Sequence, residues 1–141
     1  MIFLKEKTSI GIVVSEFNSA ITSKMLETAL SHARKIGVKV EKVIKVPGAY
    51  DMPLAIKKLL QNKKIHGVAT LGAIITGETK HDEVIAYSTA ILAAELSVQF
   101  EKPVALGVSG PGQNWELAEA RAESYAKRSV DAVMEMLNVL K

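Results

Sequence analysis

The segment HGVATLGAI, residues 66–74, is apolar or small at nearly every position. A strand with one face in water alternates between polar and apolar residues. An uninterrupted apolar run of strand length is instead typical of a strand covered on both faces, as in parallel sheets flanked by helices. We therefore predict that residues 66–74 form a buried strand of a parallel sheet.

Strand-like and helix-like segments alternate on both sides of this run. The predicted strands are 9–14, 38–46, 66–74 and 103–108, and the predicted helices are 19–36, 53–62, 82–100 and 115–140. Gly37 is predicted to end the first helix. Four βα units with short connections predict an α/β fold, a three-layer α/β/α sandwich around a four-stranded parallel sheet. A chain of 141 residues with 48% hydrophobic content can close one core, so we expect a single domain, 1–141.

Composition excludes several classes of function. The chain has no cysteine, which excludes disulfides, thiolate nucleophiles and thiolate metal sites. The N-terminal apolar run ends at Lys5, so we expect neither a signal peptide nor a membrane span, and a cytoplasmic protein. The net charge of +3 is spread over interleaved basic and acidic residues. This pattern argues against binding to nucleic acid and favours binding of a small anionic ligand.

Ligands of parallel α/β sheets bind beyond the carboxyl ends of the strands. This rule selects four loops: SEFNS (15–19), PGAYDMP (47–53), TGETKHD (76–82) and SGPGQN (109–114). In the first loop, Phe17 either packs on the next helix or stacks on a flat ring, and Asn18 is a candidate helix N-cap. In the second, two prolines fix the backbone and leave main-chain groups of residues 49–51 available, although a simple turn fits equally well.

The octet GETKHDEV, residues 77–84, contains a histidine where a helix begins. Thr79 and Asp82 have the spacing of a capping box, which by itself explains much of the octet. The cap requires neither Gly77 nor His81. Free N–H groups at a helix start bind phosphate and keep a nearby imidazole neutral, so His81 is a candidate general base beside a phosphate site. A surface histidine remains an equal alternative, and we interpret His32 and His66 as structural or surface residues.

Further along the chain, Arg121 on the last helix is a candidate phosphate ligand, since a guanidinium can bind phosphate through two hydrogen bonds. The sequence contains no HExxH, GxGxxG or GxxxxGK[ST] motif. Nothing therefore indicates a zinc protease, a dinucleotide site or a P-loop, and we predict no metal site.

Taken together, SEFN, VPGAYDMP, LGAIITGETKHDEV and an LGV strand before an arginine-bearing helix resemble the lumazine synthase family, with SGPG similar to its archaeal branch. The resemblance extends from Gly11 to about Leu137. It implies a flavodoxin-like arrangement and a condensation of 5-amino-6-(ribitylamino)uracil with 3,4-dihydroxy-2-butanone 4-phosphate. The products would be 6,7-dimethyl-8-ribityllumazine, phosphate and water, with no cofactor and no metal.

The same resemblance implies roles for individual residues. It makes His81 the proton-transfer residue and implies a homopentamer, a unit that in this family can form decamers or icosahedral shells. Leu106 and Arg121 would reach the site from the neighbouring subunit. The implied substrate-binding residues are Phe17 at the pyrimidine with Asn18 next to it in sequence, Ala49, Tyr50 and Asp51 at the ribityl chain, Ala73, Ile74 and Ile75 at the uracil, Glu78, Thr79 and Arg121 at the phosphate, and Leu106 facing the ring.

Three other functions remain open at this stage. An archaeal riboflavin synthase paralogue would consume the lumazine, but the intact GETKHDEV argues against it. An inactive shell-forming scaffold would share the fold. A flavodoxin-like binding module would need a Ser/Thr/Gly-rich loop where this chain has SEFNSA.

Overall fold

The computed structural model describes residues 8–141 and has the predicted alternation of strands and helices. Residues 1–7, which carry the expectation about the N-terminal run, lie outside this range. The strands are β1 (Ser9–Ser15), β2 (Lys39–Val46), β3 (Gly67–Ala73), β4 (Val104–Ala105) and β5 (Val108–Ser109). The helices are α1 (Ser19–Lys35), α2 (Met52–Leu60), α3 (His81–Phe100) and α4 (Trp115–Val139), with a 3-10 turn at Ala49–Asp51.

The strands form a parallel sheet in the order β2-β1-β3-β4, with β5 also pairing with β3. Every residue of β3 is buried, which confirms the prediction from its apolar run. Helices α1 and α4 cover one face of the sheet, and α2 and α3 cover the other. The three-layer α/β/α prediction is therefore confirmed, and all four loop regions follow the carboxyl ends of strands.

The fourth predicted strand, 103–108, is wrong as a continuous element because it divides into β4 and β5. Thr70 of β3 is fully buried, and its hydroxyl donates to the Ala105 carbonyl at 2.7 Å. The same oxygen accepts the Gly107 N–H at 3.0 Å. The hydroxyl of Thr70 thus bonds to main-chain groups of residues 105 and 107 that would otherwise pair with a neighbouring strand. The sheet therefore has five strands. Leu106 lies between β4 and β5 and is 49% exposed.

The ends of the helices follow local rules. Gly37 has φ +77°, a conformation that favours glycine, and it follows the end of α1 as predicted. Within residues 8–141, no helix has both the length and the apolar character that crossing a bilayer requires.

Candidate active site

The loops after β1, β2 and β3 surround a cleft of about 400 Å³ at the carboxyl ends of the strands. This volume is in the range of small-molecule sites. Most predicted site residues line it: Phe17, Asn18, Ala49, Tyr50, Ala73, Ile74, Ile75 and His81. Residues that the sequence analysis did not assign to the site also line it: Ser15, Pro47, Gly48, Asp82 and Ile85, together with Gly77. The loop after the fourth strand, 109–114, follows a carboxyl end as predicted but does not line this cleft.

Two aromatic side chains stand at the cleft with most of their surface exposed. Phe17 is 73% exposed and Tyr50 is 72% exposed. An exposure this high is inconsistent with the alternative that Phe17 staples α1 to the core. The Phe17 N–H donates to the Pro47 carbonyl at 2.8 Å, which ties the first loop to the second. The rings are thus available to stack on a planar ligand.

The main chain of residues 49–51 is less available than the sequence analysis expected. The Ala49 carbonyl accepts the Thr89 hydroxyl at 3.2 Å, and the Asp51 N–H donates to the Gly48 carbonyl at 3.0 Å. The carboxylate of Asp51 turns back to accept the Gly48 N–H at 3.0 Å. The 3-10 turn therefore satisfies much of its own hydrogen bonding, and Asp51 does not line the cleft.

Asn18 occupies the N-cap position of α1, but its side chain does not cap the helix. Its backbone is left-handed, with φ 66°, and its side-chain amide donates to the Ala73 carbonyl at 2.9 Å. The interpretation as a side-chain cap is therefore wrong. Asn18 instead joins the first loop to the end of β3.

At the end of β3, the backbone polar groups are only partly committed. Ile74 donates to the Ser109 carbonyl at 2.9 Å and accepts from the side chain of Gln113 at 3.2 Å. Among the described residues, neither main-chain group of Ile75 has a hydrogen-bond partner. A ligand in the cleft can bond to Ile75 without breaking a bond of the fold.

His81 is the first residue of α3, and its exposed side chain lines the cleft. The predicted capping box around it is wrong. Thr79 accepts the His81 N–H at 3.3 Å, but the carboxylate of Asp82 bonds elsewhere. Gly77 also lines the cleft, and a methyl group there would meet nothing within 4 Å, so the loop before His81 has open space beside it.

Asp82 is a feature of the cleft that the sequence analysis missed by assigning it to capping. Its side chain is buried and accepts the Gly112 N–H at 3.1 Å and the Thr76 hydroxyl at 3.3 Å. The Gly112 hydrogen bond in particular holds the pKa of Asp82 below its usual value, because it stabilises the charged form more than burial destabilises it. No local signal in the sequence indicates this contact, because Gly112 lies 30 residues away from Asp82 along the chain.

The other two histidines have the structural roles that were predicted for them. His66 accepts the Ser9 N–H through Nδ1 at 3.1 Å. His32 on α1 lies 2.7 Å from the carboxylate of Asp131 on α4. Neither lines the cleft. Within residues 8–141, no three histidine, aspartate or glutamate side chains converge as metal ligands would.

Comparison with known proteins decides the family. The family model for 6,7-dimethyl-8-ribityllumazine synthase matches residues 7–141. The chain belongs to the 6,7-dimethyl-8-ribityllumazine synthase family. The protein of that name from Sulfolobus acidocaldarius is 51% identical over 97% of this chain and 87% of its own length. Its counterparts from Saccharolobus solfataricus and Picrophilus torridus are 54% and 50% identical, over 95% and 94% of this chain and 88% and 96% of their own.

Five residues expected from the lumazine synthase resemblance do not line the cleft of this chain: Asp51, Glu78, Thr79, Leu106 and Arg121. Glu78 and Thr79 are exposed on the loop that leads to His81. Leu106 is exposed between β4 and β5, and Arg121 is exposed on α4. The chain therefore brings together the ring-binding part of the expected lumazine synthase site with His81, and leaves Leu106 and Arg121 outside it.

Proposed function

We propose that this cleft condenses 5-amino-6-(D-ribitylamino)uracil with 3,4-dihydroxy-2-butanone 4-phosphate, in the penultimate step of riboflavin biosynthesis. The observation that carries the proposal is the position of His81 in an apolar cleft flanked by two exposed aromatic rings, in a chain of this family. Flat heteroaromatic substrates bind to such surfaces by stacking, and a neighbouring imidazole supplies proton transfer. We also propose that residues 1–141 form one domain.

The pyrimidine is proposed to lie against Phe17, with its polar edge toward the main chain of Ile75. The exposure of the ring and the unpaired backbone groups of Ile75 support this orientation. The ribityl chain would extend toward Tyr50 and Asp51. The hydrogen bond from the Gly48 N–H to the Asp51 carboxylate is exposed. To bind the substrate, this carboxylate would give up that bond and accept one from a ribityl hydroxyl instead.

The phosphate of the second substrate is proposed to bind at the loop 77–79 that precedes α3. Gly77 leaves space beside the chain, and the positive end of the α3 dipole favours an anion there. Thr79 would donate its hydroxyl and Glu78 its main-chain N–H, and the Arg121 guanidinium of a neighbouring subunit would balance the charge.

His81 is proposed to move the protons of the reaction. Attack of the substrate amine on the ketone requires a proton to leave the nitrogen and another to reach the departing hydroxyl. Elimination of phosphate then requires removal of a proton from carbon, and attack of the ribitylamino nitrogen on the remaining carbonyl closes the second ring and releases a second water. An imidazole can accept and return these protons near neutral pH, and its exposed position at the end of the cleft puts it within reach of the solvent.

We propose a homopentamer because the lumazine synthase resemblance implies one. Self-association is supported by α3, which exposes apolar side chains at alternating spacings of three and four residues. Val84, Tyr87, Ile91 and Val98 are between 57% and 78% exposed, and Ala94 continues the same stripe. Such a stripe is buried when helices of several copies pack together. Leu106 and Arg121 are exposed on the same chain and would complete a neighbour's cleft. We propose a cytoplasmic location. Native mass distinguishes a pentamer from a decamer or an icosahedral shell.

The test supplies both substrates to the purified protein and follows the absorbance of the lumazine, with phosphate release as a second readout and native mass for the assembly. We expect stoichiometric lumazine and phosphate from an oligomer. Consumption of the lumazine to riboflavin would instead identify a riboflavin synthase, and an assembled but inactive protein would identify a scaffold. Either result would refute the proposal.

A further inference from the structure

The turn between β5 and α4, residues 110–113, is bonded repeatedly to the segment that carries His81. The Thr76 N–H donates to the Gln113 carbonyl at 2.8 Å, and the Gly112 N–H donates to Asp82 at 3.1 Å. The side chain of Gln113 donates to the Ile74 carbonyl at 3.2 Å. None of these turn residues lines the cleft. Within the cleft of its own chain, the turn can therefore act on a substrate through the segment 74–82.

Asp82 forms one side of this connection. One carboxylate oxygen, Oδ2, accepts both the Gly112 N–H and the Thr76 hydroxyl. The side chain is only 7% exposed, so these bonds compensate the cost of removing a carboxylate from water. Because Asp82 directly follows His81, fixing its side chain fixes the first turn of α3.

Gln113 forms the other side. It is 3% exposed, and its amide nitrogen donates both to the Ile74 carbonyl and to the Ser109 hydroxyl, at 2.7 Å for the latter. Its Oε1 has no partner within the part of the chain that the structure describes. The contribution of Gln113 therefore comes from the two bonds it donates, which hold the backbone next to Ile75.

We infer that Asp82 and Gln113 are positioning residues, Asp82 for the imidazole of His81 and Gln113 for the main chain of Ile74 and Ile75. This inference rests on the proposed function. It predicts that the two residues act on different kinetic parameters, because one orients the proton-transfer group and the other orients the surface that binds the pyrimidine. A merely structural role would give both variants the same loss.

The experiment measures kcat and the KM of the pyrimidine for three variants. In Asp82→Ala, kcat should fall about ten- to a hundredfold with KM within about twofold, since misplacing a reacting group by about 1 Å has effects of this size. In Asp82→Asn, the amide oxygen can accept both bonds, so kcat should stay within about threefold. In Gln113→Met, of similar volume, KM should rise about tenfold with kcat within about threefold.

Lys102→Met serves as the stability control. Its ammonium donates to the Leu60 and Asn62 carbonyls, at 2.9 and 3.1 Å, away from the cleft. This variant should melt at a lower temperature with unchanged kcat. If kcat fell as much in Lys102→Met as in Asp82→Ala, the loss in Asp82→Ala would be explained by lower stability alone. That result would overturn the inference.

Three other results would also overturn it. Asp82→Asn as slow as Asp82→Ala would make the charge of Asp82 itself part of the chemistry. Normal kcat in Asp82→Ala would show that Asp82 does not position His81. Normal KM in Gln113→Met would show that Gln113 does not position the main chain of Ile74 and Ile75. An inactive wild-type protein would instead refute the proposed function, so the two failures are distinguishable.

Discussion

The two walls of the cleft are held in different ways. The aromatic wall, formed by Phe17 and the loop 47–50, presents two rings that are more than 70% exposed. The histidine wall, residues 74–82, is hydrogen-bonded to Ser109 of β5 and to the turn 110–113 through both main-chain and buried side-chain groups. The aromatic wall thus offers exposed rings to a ligand, whereas the histidine wall is held in place by hydrogen bonds on the side that faces away from the cleft.

This difference matches what the proposed reaction requires. Stacking tolerates small shifts of a ring, because every heteroaromatic has a face that an aromatic side chain can cover. Proton transfer does not tolerate them, since the donor and acceptor must lie within hydrogen-bond distance. We therefore expect changes in the aromatic wall to weaken binding without loss of stability, and changes behind the histidine wall to affect folding, turnover or, at Gln113, the orientation of the main chain that binds the pyrimidine.

The largest effect is expected from Gly107→Ala, next to the strand that leads into the histidine wall. A methyl group at Gly107 would lie 2.1 Å from the Thr70 carbonyl oxygen and 2.6 Å from the Cβ of Ser129. We expect the free energy of unfolding to fall by more than about 3 kcal/mol. Urea denaturation measures it. Gly77→Ala is the matched control, because its methyl would meet nothing within 4 Å and should change stability by less than about 0.5 kcal/mol. Equal stability of the two variants would contradict the comparison.

In the aromatic wall, Phe17→Ala should raise the KM of the pyrimidine about five- to tenfold, the loss of one stacking contact of about 1 kcal/mol. The melting temperature should not change, because the ring is 73% exposed. Phe17→Tyr keeps the ring and should bind within about twofold of the wild type. A destabilised Phe17→Ala with normal KM would show that the ring packs in the fold instead.

The histidine wall should also lose stability in acid. The pKa of Asp82 is lowered from 3.8 in the folded state, chiefly by the Gly112 N–H. A group with a depressed pKa stabilises the folded state above its unfolded value, and this contribution is lost as the pH falls through the folded value. Asp82→Asn should thus be less stable than the wild type at pH 7 in urea denaturation, and the difference should shrink as the pH falls below 3.8 and disappear once the pH is below the lower pKa of the folded state. A difference that persists unchanged in acid would contradict this account.

The smallest effect on lumazine formation is expected far from both walls, at Lys102. Lys102→Met removes two hydrogen bonds to main-chain carbonyls. The free energy of unfolding should fall by about 1 kcal/mol with normal kinetics of lumazine formation. Thermal melting and steady-state rates measure the two quantities, and slower turnover would show that the cleft is sensitive to stability anywhere in the chain.

Much of the fold was predictable because its signals are local. The apolar run of β3, the helical stripes and Gly37 each depend on neighbouring residues only. The break in the fourth strand was not predictable, since it depends on the hydroxyl of Thr70 reaching Ala105 and Gly107 across the sheet. No pattern within 103–108 records that contact.

The same distinction applies to the site. Phe17, Tyr50 and His81 were found because strand order alone brings their loops together. Asp82 and Asn18 were assigned to helix capping because their residue types suit caps, and only tertiary contacts with Gly112 and Ala73 direct their side chains elsewhere. Leu106 and Arg121 lie outside the cleft of the single chain, so their proposed roles depend on a second copy.

The central claim is that His81, fixed at the end of this cleft, transfers the protons of lumazine formation. The most direct measurement compares the kcat of His81→Ala with that of His32→Ala. His32 lies on α1, away from the cleft, and bonds to Asp131 on α4. We predict that His81→Ala slows turnover at least about tenfold with the assembly intact, while His32→Ala turns over at the wild-type rate. Full activity of an assembled His81→Ala protein would contradict the account.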